Sequence, residues 1–195
     1  MKDLLSKAVP VVFSLTVALG AVEIWEGSSR RVVHAAEGTP GSLSMTCSDV
    51  CSATGCTVEY TVLSKGNKTY VQAKYVKKSE VLGHKVGDVT ESICDWGQGT
   101  VTTLDQANHT YTTRKDPKLA SLPLATLLKE LASAKDAKEF VGKKTQHGTM
   151  FTFQTVSTTV SDAAKDAKID ETKLSVPKDY TEAKAVSPTP KAPGR

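Results

Sequence analysis

The sequence predicts an α+β protein: a curved, mostly antiparallel, half-barrel-like sheet packed against one long amphipathic helix and a short second helix. Three observations lead there. Over residues 57–114, apolar and polar side chains alternate with period two in short runs separated by Gly, Asn and Asp. After Pro123 the period becomes helical, with Leu124, Leu127, Leu128 and Leu131 on one face. Past Gly142, β-branched and aromatic residues return at 149–156.

Residues 1–35 read as a secretory signal. Lys2 and Lys7 flank the start of an apolar run over residues 8–19, and small residues allow cleavage after Gly20 or after Ala35. The alternative is an uncleaved anchor reaching Trp25, which Glu23 interrupts and which is short for a membrane span. Arg30-Arg31 follows the apolar run instead of preceding it, so it is a solvated charge pair and not an export signal. A single domain is expected over 36–182, with Gly, Pro and Ser in residues 37–44 making a flexible lead-in and order beginning near Leu43.

Val58, Tyr60 and Val62 share one face of a first strand, a turn follows at 64–68, and 69–76 returns antiparallel. Residues 86–95 form the next strand. Trp96-Gly97-Gln98-Gly99 turns the chain into 100–104, and a polar turn at 105–109 leads to 110–114. Ser121 is the expected helix cap, with Pro123 tolerated in the first turn. Ala134 and Phe140 extend the leucine stripe to Gly142. A strand over 149–156 runs on towards Val160, and Ser161 caps a brief second helix over 161–167. The last ordered piece is 174–180, and the Pro-rich stretch 183–195 is expected to be a disordered tail, having too little apolar surface to offset ordering entropy.

At 195 residues the chain suits one domain, and its charge of +4 is too scattered for a nucleic-acid groove. No nucleophile elbow is present, and Gly97-x-Gly99 lacks the third glycine and following helix of a dinucleotide site. His34, His84, His109 and His147 are dispersed without ligand spacing and read as solvated side chains. The residues therefore predict no catalysis, no cofactor and no metal.

Four cysteines stand out, Cys47-x3-Cys51-x4-Cys56 and a distant Cys94. Behind a secretory signal such thiols tend to pair, and four cysteines allow three connectivities. One joins Cys47 to Cys51 in a small loop and Cys56 to Cys94, fastening the lead-in to the central hairpin. A metal site lacks the usual C-x2-C pairs, and no C-x-x-C redox motif is present.

Asp95-Trp96-Gly97-Gln98-Gly99-Thr100 running to Leu104-Asp105, then Thr110-Tyr111, Ile169-Asp170 and Leu174-Ser175-Val176-Pro177-Lys178-Asp179-Tyr180, together resemble the LolA-like superfamily of periplasmic lipoprotein carriers, especially its small relatives. The likeness covers about residues 57–180. Leu174 stands where that group usually has Phe, Asp179 where it often has Gly, and the cysteine cluster is not part of its pattern. The resemblance implies a periplasmic or secreted carrier whose sheet and helix hold a lipid or lipoprotein acyl chain, touching membranes only transiently or through its signal. On that reading Leu124, Leu127, Leu128, Leu131 and Phe140 wall the ligand site opposite Phe151, Phe153, Met150, Tyr60, Val62, Tyr70, Val71 and Ala73, with alternation deciding which face inwards. The plainer reading makes the leucine stripe the core side of the helix in a structural or interaction protein of the envelope.

Overall fold

A computed structural model describes residues 39–149 and 154–183. They form a curved, open, nine-stranded sheet and an α-helix, in keeping with the α+β class. The strands are β1 (Thr39–Cys51), β2 (Thr57–Gly66), β3 (Lys68–Lys77), β4 (Val89–Asp95), β5 (Thr100–Asp105), β6 (Thr110–Lys115), β7 (Lys144–Thr149), β8 (Gln154–Lys165) and β9 (Thr181–Glu182). Helix α1 spans Pro123–Ser133. The spatial order is β7-β8-β1-β2-β3-β4-β5-β6-β9, and only the short β6–β9 contact is parallel. The chain therefore walks from β1 to β6 as a meander, crosses back through α1, and lays β8 beside β1.

The alternating residues form the expected meander because period two sends every second side chain to one face. Leu43, Met45 and Cys47 of β1, Val58, Tyr60 and Val62 of β2, and Val71, Ala73 and Tyr75 of β3 are all buried in one core cluster with the leucines of α1. A polar chain closes the sheet's core near β4: Trp96 Nε1 donates to Thr69 Oγ1 at 2.8 Å, and Thr69 Oγ1 donates to Ser64 Oγ at 2.8 Å. The opposite face carries a smaller cluster of Tyr70, Ile93, Leu104 and Leu174, against which Ile169, Val176 and Tyr180 pack. The C-terminal segment thus covers the second face, and β9 extends the sheet beyond β6.

Several expectations are corrected. The lead-in is strand: β1 begins at Thr39, because Leu43, Met45, Cys47 and Asp49 alternate inwards while Ser and Thr fill the other face. Within the segment expected as one strand over 149–156, Thr149 ends β7 and Gln154 begins β8, the two residues paired with each other, while residues 150–153 lie outside the described residues. The second helix expected over 161–167 is also strand, since β8 runs to Lys165 in register with β1, Ala163 opposite Met45 and Asp162 opposite Thr46. Ladder hydrogen bonds and the burial of Ala163 override the helical preference of Ala and Lys there.

Finally, α1 stops at Ser133, and Phe140 belongs to a separate 3-10 turn, Ala137–Phe140. Lys165 explains the early stop. Its Nζ donates to the carbonyl oxygens of Ala132 (3.0 Å) and Ala134 (2.7 Å), satisfying acceptors that a continuing helix would have used. At the other end the cap is Leu122, with Pro123 at the first helical position, and the Ser121 hydroxyl donates to the Lys118 carbonyl instead. The signal segment, and the tail from residue 184 onwards, lie outside the described residues.

Candidate functional site on the helix-covered face

Helix α1 rests mainly on β1 and β8. Its stripe is closed into the core: Leu124 is 5%, Leu127 4%, Leu128 2% and Leu131 0% exposed, and Phe140 from the following turn is also buried. Leu43, Met45, Val160 and Ala163 belong to the same cluster, as do Tyr60, Val62, Val71 and Ala73. Tyr70 does not join them. It lies on the other face, where its hydroxyl donates to Glu91 Oε1 at 2.5 Å and Gln72 Nε2 donates to the same oxygen at 2.9 Å. Met150, Phe151 and Phe153 lie outside the described residues.

A buried carboxyl sits on the covered face, and sequence reading passed over it. Asp49, 7% exposed on β1, accepts from Thr158 Oγ1 of β8 at 2.5 Å and also from the Tyr60 hydroxyl of β2. Burial pushes its pKa up to about 6, although both hydrogen bonds pull it down. The signal was present in the sequence, as an acid in the inward slot of the Leu43, Met45, Cys47 alternation. Tyr60, fully enclosed, is held well above the usual phenol range by burial first and by Asp49 second.

The strand register decides how the cysteines relate, and it overturns the pairing of Cys47 with Cys51 and of Cys56 with Cys94. All four are thiols. Cys47 and Cys51 lie four positions apart on one extended strand, about 13 Å, beyond the roughly 7 Å limit between Cα atoms of a disulfide. Cys94 is opposite Thr69, which is opposite Ser64, and Ser64 is eight positions along from Cys56, about 26 Å. The same counting separates Cys47 from Cys56 and from Cys94. Burial pushes Cys47 up to about 12, with Asp49 adding to it, and burial pushes Cys94 up to about 12 as well. Both stay protonated and unreactive at neutral pH.

Of the histidines, His34 and the His147 side chain lie outside the described residues, and His84 and His109 stand in separate settings. His84 is not a solvated side chain: its ring stacks on Tyr75 at 3.9 Å, and burial lowers its pKa against the opposing pull of Asp88. His109 Nδ1 meets Asp179 Oδ2 at 2.8 Å beside Tyr180, in an exposed pair that holds the C-terminal segment to the β5–β6 turn. Among the described residues no three His, Cys, Asp or Glu side chains are grouped so as to hold a metal ion, and no helix is long and apolar enough to cross a membrane.

No family model matches the chain, and no curated protein matches it. The arrangement offers a closed apolar layer with a buried, protonatable carboxyl, Asp49, on the same face.

Proposed function

We propose that the protein is a non-catalytic structural or interaction module, exported to the bacterial envelope. The observation that carries this reading is the leucine stripe of α1, whose four leucines are at most 5% exposed and share one core cluster with the sheet. A stripe that packs against its own sheet stabilises the fold and leaves no apolar wall in need of a ligand. The Pro-rich residues 187–195 then offer a tether or contact, as their composition suggests. Export rests on the apolar N-terminal run.

A second reading, the apolar-ligand carrier implied by the LolA-like resemblance, is favoured by one feature. The sheet is curved and open, while α1 leans mainly on β1 and β8, so a half-barrel could admit an acyl chain by displacing the helix. Titration with a fluorescent fatty acid separates the two. The interaction reading expects no saturable binding at micromolar concentrations; saturable binding that Leu128→Trp abolishes would establish the carrier in its place.

A further inference from the structure

We infer that Cys51 and Cys56 are a redox-active dithiol that closes into a disulfide across the β1–β2 hairpin, at the margin of the helix-covered face. The register singles them out. Val50 of β1 pairs with Thr57 of β2, so the next opposed residues are Cys51 and Cys56, and the Cys51 N–H donates to the Cys56 carbonyl at 3.0 Å. The loop between them, residues 52–55, is closed by the Gly55 N–H donating to the Cys51 carbonyl at 2.8 Å. Gly55 has φ +67°, a left-handed conformation that glycine takes without steric cost and that lets so short a loop reverse the chain. Directly opposed antiparallel residues have Cα atoms about 4.5–5.5 Å apart, inside the range of about 4.4–6.8 Å that a disulfide spans. Both side chains also share a face, since Cys51 continues the inward series Cys47, Asp49 and Cys56 begins the series Val58, Tyr60.

The two thiols are chemically unequal. Burial pushes Cys51 up, but hydrogen bonds from the Thr54 hydroxyl and the backbone N–H groups of Thr54 and Ala53 outweigh it, leaving the half-buried thiol below its ordinary value. Cys56 is raised, by burial first, then by the charge on Cys51 and by Glu80. Cys51 is therefore the attacking group and Cys56 the resolving one.

The oxidant is a low-molecular-weight disulfide, RSSR. The Cys51 thiolate attacks one sulfur of RSSR; a protein S–S bond forms, the R–S–S–R bond breaks, and RS⁻ leaves with the electron pair. Cys56 then loses its proton and attacks the Cys51 sulfur of the mixed disulfide, expelling the second RS⁻. The two protons from the protein thiols end on two RSH, the protein is oxidised by two electrons and RSSR is reduced. Because Cys56 reacts within the hairpin, its burial is no barrier to the second step.

The test uses the folded full chain treated with oxidised glutathione, quenched with N-ethylmaleimide in denaturant, then reduced and labelled with iodoacetamide. Mass spectrometry is expected to show loss of two of the four thiols, with iodoacetamide on Cys51 and Cys56 and N-ethylmaleimide on Cys47 and Cys94. The Cys56→Ser variant should stall as a glutathione adduct on Cys51, and Cys51→Ser should react at Cys56 at least about tenfold more slowly. Four thiols retained, a disulfide that includes Cys47 or Cys94, or a stable glutathione adduct without closure in the unmutated chain would each overturn the inference.

Discussion

Asp49 is the residue whose behaviour the fold changes most. Its folded pKa of about 6 lies above the ordinary value of 3.8, so the folded state binds the proton more tightly than the unfolded chain. The stabilisation this gives is complete below about pH 4 and is lost as pH rises through about 6, a swing of about 3 kcal/mol. Relative to the unmutated protein, Asp49→Asn should therefore gain up to about 3 kcal/mol between pH 4 and pH 7, measured by urea unfolding at each pH; a difference independent of pH would contradict this. At the packing level Leu131, 0% exposed, is the sharpest probe. Leu131→Ala should cost about 2–5 kcal/mol through lost burial and the cavity left behind, read from the urea midpoint at unchanged slope. Leu131 was legible from its helical spacing with Leu124, Leu127 and Leu128. Asp49 left only an alternation signal, an acid in an inward slot, whose meaning depends on Thr158 and Tyr60 from other strands satisfying it.

At the scale of elements, the meander β2–β6 followed directly from alternation and turn chemistry, and the helix from its leucines and Pro123. The misread elements share one cause. β1 and the C-terminal half of β8 are rich in Ser, Ala and Asp, with weak strand preference of their own, and they become strands because each completes the other's ladder between β2 and β7. Long-range pairing of this kind leaves little local trace. The end of α1 is likewise set at a distance, by the ammonium of Lys165 on the carbonyls of Ala132 and Ala134. Lys165→Ala should remove both hydrogen bonds and fray the last turn of α1, seen as at least about fivefold faster amide exchange near Leu131–Ala134 with little change near Leu124. Uniform exchange along α1 would show that Lys165 plays no part in ending it. The x3 and x4 spacings of the cysteines likewise carry no information on which residues oppose one another; the register of the β1–β2 hairpin decides it.

At the scale of the described residues together, the sheet order explains how α1 and the C-terminal segment come to cover opposite faces. By carrying the chain from β6 back across the sheet to β7 and β8, α1 brings its stripe over β1 and β8, and the C-terminal segment closes the other face through Leu174, Val176 and Tyr180. The proposed export predicts a processed chain: produced in a bacterium with an envelope, the protein should have an intact mass that places its first residue at Ala21 or Ala36, and a full-length mass in the membrane fraction would instead mark an anchor. The central claim is that the layer between helix and sheet is the protein's own core and not a chamber for a ligand. Native mass spectrometry of the protein purified from its own compartment tests it most directly: the account predicts the mass of the polypeptide alone, and a stoichiometric co-purifying lipid released on denaturation would contradict it.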